Sequence, residues 1–192
     1  MMAALPVAAA CRHLDAREGF EVLFPLAEAH GYRFEGHCSA VEDGQAWGIR
    51  YSIVLDASWI TRSADIVSRS AFGTRELRLE GDGEGGWLLD SRPVMHVEGC
   101  LDVDLEASAF TNTFPERRLA LEPGRRAQAP AVYVRAPDLR VERLEQSYAR
   151  IEDEDGRRRY DYAAPAFDVE TVLVYDEDGL VLDYPGLATR VF

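Results

Sequence analysis

A side-chain period of two runs through most of this chain, and it leaves little freedom of fold class. Ile49, Tyr51, Ile53 and Leu55 alternate with Arg50, Ser52, Val54 and Asp56. Leu77 and Leu79 alternate with Arg78 and Glu80, and Val169, Thr171, Leu173 and Tyr175 share one face. Successive residues of a strand point to opposite sides, so these runs put apolar groups on one side of a sheet. Turn signals separate them: His30-Gly31, Asp43-Gly44, Gly81 to Gly86, Asp155-Gly156 and Asp178-Gly179. Strands joined by short turns pair antiparallel rather than through parallel crossovers. The expected class is mostly β with little helix. Asp15 to Ala29 has helix-forming composition, but Pro25 interrupts a helix there. Val141, Leu144, Tyr148 and Ile151 fit a helical face, yet a strand turning at Asp155-Gly156 is the preferred reading.

With 192 residues the chain is expected to form one domain, residues 15–192, preceded by an N-terminal arm over residues 1–14. The stretch Leu5 to Cys11 faintly resembles a lipoprotein cleavage site but lacks a positive n-region and a long apolar run, so it reads as an unstructured leader. A net charge of −13 argues against nucleic acid and against anionic membrane surfaces. No apolar run approaches the roughly 18 residues of a membrane span. Cys11, Cys38 and Cys100 cannot all pair within the chain, which suits a reducing, cytoplasmic compartment.

Residues 99–118, GCLDVDLEASAFTNTFPERR, hold the most distinctive chemistry. On a strand, Leu101, Val103 and Leu105 face one way and Asp102 and Asp104 the other, the two carboxylates roughly 6–7 Å apart at Cα. Such a pair suits a divalent cation, sugar hydroxyls, acid–base work, or a structural network neutralised by Arg117 and Arg118; the network is favoured. Thr111-Asn112-Thr113 reads as an Asx- or ST-type turn that could also contribute to a sugar-binding rim. Trp47, Trp59, Trp87, Phe110, Phe114, Tyr148 and Tyr184 read as core, with lining of a ligand cavity as the alternative.

Other motifs carry less. Gly81-Asp82-Gly83-Glu84-Gly85-Gly86 satisfies G-x-G-x-x-G, but Trp87-Leu88-Leu89 follows in place of a helix and the acidic residues repel phosphate, so it reads as a hairpin turn. His37 and Cys38 point to opposite faces of a strand and match no zinc spacing with Cys11 and His13. No metal, cofactor or catalytic nucleophile is expected.

The central stretch also resembles a known family. Gly99 to Leu105, then Phe110-Thr111-Asn112-Thr113, Pro115 and Arg117-Arg118-Leu119, are similar to the signature of the bacterial putative glycolipid-binding protein family. Tyr51 to Asp56 with Trp59 to Arg62, Gly86-Trp87, Gln146-Ser147-Tyr148, Gly179 to Val181 and Tyr184-Pro185-Gly186 ahead of Arg190 agree in order. Ala109, Glu116 and Ala188-Thr189 depart from the pattern. The resemblance implies a single antiparallel sheet curled into an incomplete barrel, like the half-barrels that carry lipoproteins across the bacterial periplasm. It implies non-catalytic binding of a glycolipid or other small amphiphile in the half-barrel cavity. Asp102, Asp104, Asn112, Thr111, Arg117, Arg118, Trp59, Tyr148 and Tyr184 are the ligand-binding candidates. The rival reading is an enzyme acting on a sugar-like substrate through Asp102 or Asp104; an interaction domain is a third.

Overall fold

The computed structural model describes residues 5–15 and 17–192. Its strands in chain order are β1 (Ala9–His13), β2 (Glu18–Glu28), β3 (Gly31–Glu42), β4 (Gln45–Asp56), β5 (Thr61–Ser70), β6 (Gly73–Gly81), β7 (Trp87–Leu89), β8 (Arg92–Pro93), β9 (Asp102–Leu105) and β10 (Arg126–Gln128). They continue with β11 (Ala131–Val134), β12 (Val141–Leu144), β13 (Ser147–Glu154), β14 (Arg157–Ala164), β15 (Val169–Tyr175), β16 (Val181–Tyr184) and β17 (Ala188–Arg190). One short helix, α1 (Thr113–Leu119), follows a 3-10 turn at Phe110–Asn112.

Fourteen strands form one antiparallel sheet in the order β10-β13-β14-β15-β16-β17-β1-β2-β3-β4-β5-β6-β7-β8. The sheet does not close on itself. The expected local chemistry is present. Asp43-Gly44 and Asp155-Gly156 each connect two strands as a two-residue loop with both residues at positive φ, the backbone that matches strand twist. The Gly81–Gly86 segment is a hairpin turn whose Asp82 carboxylate accepts the Glu84 and Gly86 N–H groups. In β2 the inward set Glu21, Leu23 and Pro25 follows period two, and burial of that face overrides the helix-forming composition.

Three features depart from expectation. Ala9–His13, placed within an arm by the sequence reading, is a strand at the seam of the sheet. It pairs with β17 on one side and β2 on the other, joining the C-terminal half to the N-terminal half. Ala9, Ala10 and Cys11 are small and apolar enough to be buried, and the strand's backbone groups need partners.

A second sheet, β12-β11-β9, also exists, and its β9–β11 pair is parallel. It grows out of the large sheet without a break in register. Arg126 faces Ala149, Gln128 faces Ser147, Ala131 faces Leu144 and Val134 faces Val141, with Ala129 N–H donating to the Gln146 carbonyl between them. One long hairpin therefore belongs to the large sheet at its base and to the small sheet at its tip. The outer edge of β9 is sealed by hydroxyls: Thr61 Oγ1 accepts from Val103 N–H at 3.2 Å and Thr111 Oγ1 from Leu105 N–H at 3.3 Å.

The third departure is the interior. Residues 107–117 are all buried and fill the concavity of the curled sheet. Tyr148 donates to Asn112 Oδ1 at 2.7 Å and Tyr175 to the Asn112 carbonyl at 3.2 Å, holding the insert from the C-terminal half. From the N-terminal half, Glu21 accepts the Ala109 N–H at 3.0 Å, and Phe34 packs edge-on against Phe114 with ring centres 5.1 Å apart. Between the two halves of the sheet the interior is thus occupied here by the chain's own segment.

Candidate functional site

The hollow that remains beside this insert has a volume of about 180 Å³. Drug-sized pockets begin at roughly 300 Å³, so this one suits a single ring or small polar group rather than a whole lipid. Asp104, Ser108 and Asn112 form its polar floor, Arg17 stands at one side, and Tyr133, Tyr162 and Tyr184 form walls. Phe167, Val169 and Leu187, each half-buried, also line it, together with Leu105, Glu106 and Leu144.

Each polar group is set by the fold around it. Asp104 lies on β9, buried on both faces of its strand. Its Oδ1 accepts the Thr111 hydroxyl at 2.8 Å. Burial pushes its carboxyl up to about 6; the Thr111 hydroxyl pulls it down, and Asp102 and Glu106 push it further up. Glu106 is committed to the tip of the hairpin, accepting Arg135 Nη1 at 3.3 Å and Ala136 N–H at 2.7 Å. Tyr162 donates to Gln146 Oε1 at 2.8 Å, and burial raises the phenols of Tyr133, Tyr162 and Tyr184, so all three are neutral donors.

The nine candidates from the sequence are divided among several places. Asp104, Asn112 and Tyr184 meet at the pocket. Thr111 and Tyr148 stand behind it, bonded to Asp104 and Asn112 respectively. Asp102 and Arg118 form a bidentate ion pair with each other, and neither lines the pocket. Arg117 lies over the Trp59 ring, 5.1 Å from its centre, and donates to the Asp178 carbonyl; Trp59 also stacks on Tyr32 at 4.0 Å. Thr111 belongs to a 3-10 turn running into α1, where its hydroxyl serves Leu105 N–H and Asp104 at once.

Arg17, Ser108, Tyr133 and Tyr162 were not singled out by sequence reasoning. Tyr162 alternates with Tyr160 on a strand, a signal for one tyrosine-rich face; Arg17, 87 residues ahead of Asp104 in the numbering, carries none. Glu21 was also missed. It is fully buried, accepts the Tyr51 hydroxyl at 2.7 Å, and burial lifts its carboxyl to about 7 against the hydrogen bonds of Ser108, Tyr51 and Ala109. Gly36 makes this contact feasible, because a Cβ there would stand 2.2 Å from the Tyr51 ring and hydroxyl.

A larger hollow of about 530 Å³ lies at the edge of the sheet, lined by Trp87, Leu88, Pro93, Val94 and Met95. Of its carboxylates, Glu80 and Asp82 are engaged, one with Arg78 and the other within its own turn, and Glu98 is the third. It lacks the converging polar groups that orient a ligand.

Residues 10–190 match the model of the Glycolipid_bind family, described as putative glycolipid-binding. The chain belongs to that family. It is similar to the crystal structure of a DUF1089 family protein from Pseudomonas aeruginosa, with 35% identity, a TM-score of 0.77 and coverage of 90% of this chain and 92% of that one. A β-barrel-like protein of the domain of unknown function DUF1849 from Brucella abortus shares the fold at 11% identity and a TM-score of 0.55, over 99% of this chain and 96% of that one. No curated protein matches the chain. In this member of the Glycolipid_bind family, no helix among the described residues is long and apolar enough to cross a membrane. No group of three or more metal-ligating side chains occurs among the described residues. Cys11, Cys38 and Cys100 are free and buried.

Proposed function

We propose that the protein binds the sugar head of a glycolipid in the Asp104 pocket, without chemical conversion, and leaves the lipid tail outside the barrel. The observation that carries this reading is the meeting of Asp104, Asn112 and Ser108 with three tyrosine walls around about 180 Å³. Carboxylate and amide oxygens accept sugar hydroxyls, and aromatic faces cover the apolar C–H faces of a ring. Phe167, Val169 and Leu187 offer an apolar margin to the first carbons beyond the head. The family description supports a glycolipid as ligand. The unpaired thiols support a reducing compartment.

Calorimetric titration with alkyl glycosides tests this. Matched heads on methyl and octyl chains are expected to bind within about tenfold of each other, while changing the head alters affinity more. Affinity that ignores the head and grows by about 0.8 kcal/mol per methylene would overturn the proposal in favour of an acyl site.

A second reading, hydrolysis of a sugar linkage, draws support from the Asp104 carboxyl near 6, suited to proton transfer. It needs a second free carboxyl, and Asp102 and Glu106 are both engaged by arginines. Turnover of aryl glycosides that vanishes in Asp104→Asn would favour it over binding alone.

A further inference from the structure

We infer that the head group taken by this pocket bears a carboxylate, as in a uronic acid, and that Arg17 is the residue that selects it. The inference rests on the sugar-binding reading above and narrows it to one ligand class.

Arg17 is 7% exposed as a residue and its side chain 4%, yet most of its donor capacity is unused. A guanidinium has five N–H donors. One hydrogen bond uses them among the described residues, from Nη1 to the Glu106 carbonyl at 3.1 Å. Nε is buried and without a hydrogen-bond partner. Glu42 stands 3.9 Å from it, beyond hydrogen-bond reach, with its own carboxylate partly in solvent. The guanidinium rests over the Trp47 ring, 5.4 Å from the centre, which holds its plane but supplies no acceptor. A buried cation with idle donors is costly unless a charged acceptor completes it.

Arg17 lines the same hollow as Asp104, so an acceptor entering the pocket meets both groups. The planar fork of a guanidinium matches a carboxylate. A single negative charge is the better match than a phosphate dianion. The pocket also contains Asp104 and Glu106, and on its other side Arg17 borders an open groove with Asp15, Glu18, Glu42 and Asp43. A ring with its carboxylate at Arg17 and its hydroxyls at Asp104 and Asn112 uses the charged and the neutral polar groups of the lining together.

Methyl glucuronide, methyl glucoside and glucose 6-phosphate titrated into the full chain test the inference. The glucuronide is expected to bind about ten- to a hundredfold more tightly than the glucoside, as a charge-assisted hydrogen bond allows. Arg17→Gln should bring glucuronide affinity down to that of the glucoside, and Arg17→Lys should restore part of the preference. Glu42→Gln, which keeps Arg17 in place, should widen the preference and serves if the Arg17 variants fail to fold. Equal binding of glucuronide and glucoside overturns the assignment of Arg17 but leaves the sugar site standing. Tighter binding of the phosphate overturns the carboxylate. Absence of binding by all three overturns the sugar reading itself.

Discussion

Arg118 holds Asp102 through two parallel bonds, Nε to Oδ1 at 3.0 Å and Nη2 to Oδ2 at 2.5 Å, while Asp104, two residues along the same strand, holds a single hydroxyl. Burial pushes the Asp102 carboxyl above its ordinary value and Arg118 pulls it back. The two aspartates therefore divide into a structural group and a group facing the pocket.

Asp102→Asn should destabilise the protein by about 3–5 kcal/mol, because it leaves the largely buried Arg118 charge without its partner. Urea unfolding measures this. A loss below about 1 kcal/mol would show that solvent reaches the pair and that it does not brace β9 against α1.

Asp104→Asn should behave differently. Asn retains an acceptor for the Thr111 hydroxyl and removes a buried charge, so in urea unfolding at pH 7 the variant should be no less stable than the wild type. Sugar affinity should fall by about 1.5–3 kcal/mol, the scale of a hydrogen bond to a charged group, read by calorimetry.

Glu21 makes stability depend on pH. Its folded value of about 7 exceeds the ordinary 4.5, so the folded state keeps a proton that the unfolded state releases. Its contribution is complete below pH 4.5 and is lost as pH rises through 7, a change of about 3 kcal/mol. Asp104, lifted from 3.8 to about 6, acts in the same direction over pH 4–6. His13 opposes both. Burial lowers it from 6.5 to about 4, so its contribution is present above pH 6.5 and lost as pH falls. Melting temperatures of wild type and Glu21→Gln, compared from pH 5 to 8, isolate Glu21 because the other two groups cancel. The wild type should lose stability more steeply with rising pH; parallel curves would refute the assignment.

Gly36→Ala should cost about 1–3 kcal/mol, since the added methyl meets the Tyr51 ring and hydroxyl at 2.2 Å in the middle of a paired strand. The displaced ring should also lose its bond to Glu21, so the pH dependence of the variant should change with its stability. Denaturant midpoints at pH 5 and pH 8 report both effects.

Local geometry was legible in the residues alone. Alternation at Ile49 to Asp56 and at Val169 to Tyr175 specifies strands because side-chain direction depends only on neighbouring backbone. Asp43-Gly44 and Asp155-Gly156 specify hairpins because few residue types tolerate two successive positive φ values. The shared face of Asp102 and Asp104 follows from the same period. The joining of the two halves of the sheet through Ala9–His13 does not follow from it, because a short run of small residues is strand or leader depending on what lies beside it. Nor does the filling of the interior. Asn112 is clamped by Tyr148 and Tyr175, and Ala109 by Glu21, from strands far away in sequence. Which aspartate is paired and which faces the pocket was likewise decided by the placement of Arg118 on α1 and of Thr111 in the 3-10 turn before it. The residues by themselves determined a mostly antiparallel β architecture; the tertiary structure decided what occupies its interior, because partners for buried polar groups exist only once distant strands have met.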